Sequence, residues 1–206
     1  MNFKITALGL LLLSSSLFAQ ESKKDFKAEV KKHQTEMNTE FSSEDHSPLL
    51  EKDRIEFKKL DFFKPNQAFK VTATFKRTPD EEVFKMKTST ERAPEYVKYG
   101  EVTFTLDGKE YKLNIYQNVK LVEKEEYKDY LFMPFTDLTN GESTYGGGRY
   151  IDLKIPEGDK IVIDFNKAYN PYCAYSHKYS CPIPPKENHL LVEVKAGVKA
   201  FENDDH

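Results

Sequence analysis

Apolar and polar residues change rhythm twice along the chain, and the rhythm gives the first outline of its architecture. Phe26, Val30, Met37 and Phe41 recur at helical spacing within a charged segment, which predicts an amphipathic helix. Ser47-Pro48 then places a capping residue ahead of a proline suited to a first helical position. A short second helix is expected there, with Leu50, Phe57 and Leu60 on one face. From Phe69 the period falls to two. Phe69, Val71, Ala73 and Phe75 alternate with Lys70, Thr72, Thr74 and Lys76, the pattern of a half-buried strand.

Val102 to Leu106 and Lys109 to Ile115 flank Asp107-Gly108. This dipeptide tolerates the positive φ angles of a two-residue hairpin turn. That loop sets Phe104 opposite Tyr111 and Val102 opposite Leu113, so turn and apolar pattern choose the same register. Ile151 and Leu153 precede Pro156-Glu157-Gly158, and Ile161, Ile163 and Phe165 follow. A second hairpin is expected with Ile155 opposite Asp159, Leu153 opposite Ile161 and Ile151 opposite Ile163. Leu190, Val192 and Val194 form a last predicted strand ended by Ala196-Gly197. The acidic residues 199–206 read as a disordered tail. Strands do not alternate with helices, so the expected fold is mainly β with N-terminal helices (α+β), a single compact antiparallel barrel or sandwich over residues 25–198.

At the N-terminus, Lys4 precedes an apolar run from Ile5 to Leu13, three serines and Leu17-Phe18-Ala19. Residues 1–19 are thereby expected to be a signal peptide cleaved after Ala19, and 20–24 a polar linker. The run is shorter than the roughly 20 residues needed to span a bilayer. No later stretch is apolar enough to do so. No cysteine follows the run, so a lipid anchor is not indicated. The mature chain is expected to be exported, periplasmic or secreted, with no membrane span after cleavage. Removing the leader takes away one of 31 basic residues, Lys4, and none of the 34 acidic ones, so the net charge moves from −3 to −4. That balance disfavours nucleic acid, whose phosphates demand a basic face.

The segment from Leu131 to Gly197 carries a dense motif series. It includes Phe135-Thr136-Asp137, Thr139-Asn140-Gly141, Thr144-Tyr145-Gly146-Gly147-Gly148-Arg149-Tyr150 and Asp164-Phe165-Asn166-Lys167-Ala168-Tyr169-Asn170-Pro171. Cys173-Ala174-Tyr175, Cys181-Pro182-Ile183-Pro184-Pro185, Glu187-Asn188 and Ala196-Gly197 continue it. Together these resemble the uncharacterised bacterial and archaeal domain-of-unknown-function family 1684, as do Ser47-Pro48-Leu49 and Leu60-Asp61-Phe62-Phe63. Val198 stands where that family often has an acidic residue. The resemblance implies no activity, substrate or catalytic residue.

The remaining chemistry is read from the residues themselves. Cys173 and Cys181 are the two cysteines, seven residues apart in a chain expected to be exported. A local disulfide is the leading reading, worth about 2.5 kcal/mol by loop entropy. Free thiols are the next reading, and a metal or redox role with His177 is the weakest. Gly146 to Gly148 ahead of Arg149 suggest either an anion site or a sharp bend into a strand. Arg149 shares parity with Ile151 and Leu153, so it points toward the apolar face. It therefore needs a carboxylate from Asp137, Glu142 or Glu187, or several loop carbonyls. Asp164 falls on the other face.

Neither a nucleophile elbow nor a histidine pair at metal-ligand spacing is present, and no cofactor or metal is expected. The leading functional expectation is a non-catalytic envelope domain that binds a small ligand, an anionic one in the first instance, or another envelope component. Its expected site comprises Asp137, Asn140, Tyr145, Arg149, Tyr150, Asp164, Asn166, Tyr169 and Asn170. The alternatives are a hydrolase or lyase using carboxylates such as Asp137 and Asp164 with Arg149, and an interaction module whose motifs only brace long loops.

Overall fold

The structure, a computed structural model, describes residues 8–201, with side chains from Lys24 onward. Helix α1 (Leu8–Ser42) and the short α2 (Glu51–Glu56) precede eight strands. These are β1 (Lys70–Arg77), β2 (Val83–Lys85), β3 (Glu95–Leu106), β4 (Lys109–Asn118), β5 (Tyr130–Asp137), β6 (Arg149–Lys154), β7 (Lys160–Asp164) and β8 (His189–Leu190). They form one curled sheet in the order β6-β5-β4-β3-β1-β7, with β2 beside β3 and β8 beside β5. Every pairing is antiparallel except β5 with β8. The expected mainly β fold with N-terminal helices is therefore observed, as an open half-barrel. Among the described residues, no helix is long and apolar enough to cross a membrane.

The Asp107-Gly108 hairpin forms in the expected register, with Phe104 opposite Tyr111 and Val102 opposite Leu113. Both turn residues take positive φ, 51° and 73°. The second hairpin does not form. β6 pairs with β5, setting Ile151 opposite Met133 and Leu153 opposite Leu131. β7 pairs with β1, setting Ile161 opposite Ala73 and Ile163 opposite Val71. Both strands turn their apolar residues to one core, as the pattern required, but they occupy opposite ends of the sheet. Five residues, 155–159, join them. Six flat strands would separate the sheet ends by about 24 Å, beyond the roughly 22 Å that such a link spans fully extended. The sheet must curl.

Its concave face is filled by Val102, Phe104, Leu113, Ile115, Leu131, Met133, Phe135, Ile151, Ile163 and Phe165, all buried. β4 and β5 share one ladder pair, Tyr116 with Phe132, and Asn188 bridges them elsewhere. Its Nδ2 donates to Asn114 O at 2.8 Å and Pro134 O at 2.7 Å, while its Oδ1 accepts from Asn114 N at 2.8 Å. One side-chain amide thus replaces a missing strand peptide.

Helix α1 buries Phe26, Val30 and Phe41, as its stripe predicts. It lies across the unpaired ends of the sheet. Glu29 binds Lys70 at the start of β1 and Lys167 just after β7, at 2.8 and 2.6 Å. Residues 20–24, expected to be a linker, lie inside this helix. The expected signal peptide falls partly on residues 1–7, outside the described residues. Ser47 does not cap α2. Its hydroxyl donates to Phe41 O at 2.6 Å and accepts from Leu49 N at 3.2 Å, fixing the turn that leaves α1. The cap position is Leu50, which is exposed.

The last predicted strand is shorter than expected. After His189–Leu190 the chain leaves the ladder, and Leu191 is exposed. Val194, Ala196 and Val198 nevertheless stay buried, because their carbonyls meet Arg149. Residues 199–201, expected to be disordered, are held in place, and the rest of the expected tail, 202–206, lies outside the described residues. Lys199 N donates to Asp61 O at 2.9 Å, Ala200 N to Ser143 O at 3.1 Å, and the Phe201 ring packs 5.1 Å from that of Tyr175.

Candidate functional site

The convex face of the sheet is aromatic. On β5 and β6 the positions alternating with Leu131, Met133, Ile151 and Leu153 are Tyr130, Phe132, Tyr150 and Asp152. Tyr150 and Phe132 meet edge-to-face at 4.7 Å, and Tyr96 of β3 packs 5.9 Å from Phe132. The chain after β7 returns across this face. Tyr150 and Tyr169 exchange backbone hydrogen bonds of 2.9 and 3.0 Å, and the Tyr150 hydroxyl donates to Pro182 O. The second half of α1 closes the far side with His33, Met37, Glu40 and Phe41.

Between sheet, returning loop and helix lies a cleft of about 460 Å³, within the range of small-molecule sites. Asp152 stands at its exposed rim. Its Oδ1 accepts from Tyr130 at 2.7 Å and Tyr169 at 2.6 Å. Burial and the Asp152 carboxylate push both phenols well above the ordinary tyrosine range, so they remain protonated donors. Tyr172 donates to Glu40 at 2.8 Å, tying the loop to the helix. Asn170 is buried, its Nδ2 donating to Lys199 O at 2.9 Å and its Oδ1 without a partner. Burial and the Lys167 charge lower the His33 pKa, which favours its neutral form.

The residues anticipated from sequence do not converge on one place. Tyr150, Tyr169 and Asn170 line the cleft. Asp137, Asn140 and Arg149 come together elsewhere, in a buried network. Arg149 Nη2 donates to Asp137 Oδ2 at 2.7 Å and to Val194 O at 2.8 Å, and Nη1 to Ala196 O and Val198 O. Asp137 Oδ1 accepts from Thr139 N at 2.8 Å, Thr139 Oγ1 at 2.6 Å and Val194 N at 3.1 Å. Asn140 accepts from Asp137 N and donates to Thr144 Oγ1 and Tyr145 O. The guanidinium has both a carboxylate and loop carbonyls, the two partner types expected for it, and neither Glu142 nor Glu187 is among them. Arg149 and Asp137 side chains are both 0% exposed.

Gly148 enters this network at φ 90°, and a side chain there would meet Phe135 O at 2.7 Å. The glycine run thus serves a tight approach at its last member. Asn166 grips the Asn66 backbone, accepting from its N–H at 2.8 Å and donating to its carbonyl at 3.0 Å. Asp164 Oδ1 accepts from Asn166 N and Nδ2 at 3.0 and 2.8 Å. Asp164 faces a second hollow beneath α1, beside Glu29, His33 and Lys167.

The disulfide expected between Cys173 and Cys181 is absent, and both cysteines are free. Cys181 is pinned to another segment, its N–H donating to Ser89 Oγ at 3.1 Å and its carbonyl accepting from Ser89 N at 2.9 Å. Its sulfur accepts the Cys173 amide at 3.2 Å. Hydrogen bonds from the Cys181 thiol and the Tyr145 hydroxyl lower Cys173 to about 6, while the same contact and burial raise Cys181. Burial and Cys173 push Tyr145 up to about 12. Among the described residues, no three His, Cys, Asp or Glu side chains could hold a metal.

Sequence reasoning missed Tyr96, Tyr130, Asp152, Tyr172, Glu40 and His33. One signal was available. Tyr130, Phe132, Tyr150 and Asp152 alternate with core residues, which marks a second occupied face. Assigning β6 to β7 concealed that β5 and β6 are neighbours.

The family described as protein of unknown function (DUF1684) matches residues 55–199. The chain belongs to that family. The match includes Leu60 to Phe63 and begins after Ser47-Pro48-Leu49. A solution NMR structure of the uncharacterized protein from gene locus rrnAC0354 of Haloarcula marismortui is similar to the chain at 34% identity. It covers 87% of this chain and 96% of its own, with a TM-score of 0.67. No curated protein is significantly similar to the chain.

Proposed function

We propose that this DUF1684 domain is a non-catalytic binder of a small organic ligand, exported to the cell envelope by its N-terminal leader and using the tyrosine-walled cleft. The observation that carries the reading is the fixed wall. Tyr130 and Tyr169 are held by Asp152 and Tyr172 by Glu40, so the rings stand ready without being ordered on binding. The hydrolase or lyase reading is less well supported, because Asp137 and Arg149 are sealed from solvent and engaged with one another. Export rests on the leader pattern alone.

A fragment screen on the isotope-labelled full chain, read by NMR, tests the binding reading. Ligand-dependent shifts should cluster on Tyr150, Tyr169, Asn170 and Tyr172. Shifts confined to other surfaces, or none from any fragment, overturn it. Fractionation with N-terminal sequencing tests export: a mature form starting at Gln20 outside the cytoplasm is expected, and an unprocessed cytoplasmic chain refutes it.

A further inference from the structure

The chemistry of the cleft wall also bears on the class of ligand, an inference that rests on the binding reading above. Its fixed charges are the Asp152 and Glu40 carboxylates, and among the described residues no lysine or arginine lines it. Its ionisable base, His33, is shifted toward the neutral form. An anion entering here meets like charge from the lining, and the cations beside it, Arg92 bonded to Ser180 O at 3.4 Å and Lys178 over the Tyr179 ring, lie outside that lining.

The polar groups of the wall are unequally free. The hydroxyls of Tyr130 and Tyr169 are engaged with Asp152, that of Tyr172 with Glu40 and that of Tyr150 with Pro182 O. The Asn170 amide donates to Lys199 O, and this residue, 1% exposed, retains an unpartnered Oδ1. Four of the wall's tyrosine hydroxyls are therefore engaged, while the negative charge of Asp152 and Glu40 remains. A carboxylate ligand, being acceptor-only, needs donors from its host. An alkylated ammonium needs none: it needs carboxylates nearby and aromatic faces around it. Tyr96, Phe132, Tyr150, Tyr169, Tyr172 and Tyr179 provide aromatic rings.

We propose that the cleft binds a small organic cation, an alkylated or quaternary ammonium compound, by ring faces under the field of Asp152 and Glu40.

Calorimetric and NMR titration of the full chain with choline tests this, against its neutral isostere with carbon in place of nitrogen and against inorganic phosphate. Choline should shift the cleft resonances and bind about tenfold or more tightly than the isostere. Asp152→Asn, at the exposed rim, removes the charge and also alters the hold on Tyr130 and Tyr169, so it should weaken choline about tenfold more than it weakens the isostere, and Tyr179→Leu, a second variant on the loop side that keeps both carboxylates, should retain the preference for choline over the isostere. Equal binding of choline and isostere, stronger binding of phosphate, or undiminished choline binding by Asp152→Asn overturns the cationic assignment while leaving the cleft a ligand site. If neither choline nor the isostere shifts any cleft resonance, the cationic assignment fails, and the fragment screen decides the binding reading separately.

Discussion

Arg149 and Asp137 form an ion pair of 2.7 Å with no solvent contact on either side chain. Val194, Ala196 and Val198 supply carbonyls to the same guanidinium, so the pair fastens the C-terminal segment to β6. Removing one partner strands a buried charge. Arg149→Ala should therefore destabilise the chain by about 3–5 kcal/mol in urea unfolding. Arg149→Lys should recover little, since an ammonium lacks the planar fork that reaches carboxylate and carbonyls together. The double variant Arg149→Met, Asp137→Leu should be less destabilised than the sum of its singles. Strict additivity would show that the two charges do not act as a pair.

Gly148 and Gly141 both have positive φ, 90° and 82°, but only Gly148 is crowded. Gly141→Ala should cost about 1–2 kcal/mol, the left-handed penalty alone. Gly148→Ala should cost about 1–3 kcal/mol more, because the added carbon meets Phe135 O. Equal losses in chemical denaturation would argue against the close approach.

Glu29 is lowered from 4.5 to about 2 by hydrogen bonds from Lys167 and Lys70. A carboxyl with a depressed folded pKa contributes stability that is complete above its unfolded value and lost as pH falls through the folded one. The window here runs from about pH 4.5 down to about 2. The Glu29 side chain is 45% exposed, so after solvent screening the contribution should stay below about 1 kcal/mol. Glu29→Gln should flatten this part of the stability–pH curve and leave its neutral limb parallel to that of the parent. An unchanged acid limb would mean that the helix is not held by these lysines.

Cys173 is half-buried and lowered to about 6, whereas Cys181 is buried and raised. The native chain should therefore alkylate first at Cys173, with a rate that reaches half its plateau near pH 6. The two thiols titrate as a coupled pair, so this midpoint belongs to the pair. Unreduced, denatured protein should label at both cysteines. Mass spectrometry after iodoacetamide reads both results, and a bridged peptide would contradict the free-thiol geometry.

Much of this fold was legible where the deciding contacts are local. Phe104 faces Tyr111 because a two-residue turn lies between their strands. Arg149 was legible by a different route, since a cation on an apolar face has few allowed partners. The β6–β7 hairpin misled because Ile151 and Ile161 do face one core, and parity alone does not say which strand lies beside which. The cleft was hidden by distance. Tyr172 meets Glu40 across 132 residues of sequence, and Asp152 reads locally as an ordinary exposed strand residue. Only its two phenol partners distinguish it.

The open edge of the sheet also bears on the order in which the chain can fold. Helix α1 is made first, yet Glu29 waits 41 residues for Lys70 and 138 for Lys167. Arg149 waits a further 45 to 49 residues for the carbonyls that hold it. A growing chain thus has no finished N-terminal subunit to set aside, since its earliest helix closes over its latest strands. Local hairpins such as that of Phe104 and Tyr111 need no such wait, but the sheet cannot be fastened at Arg149 until the last segment is present.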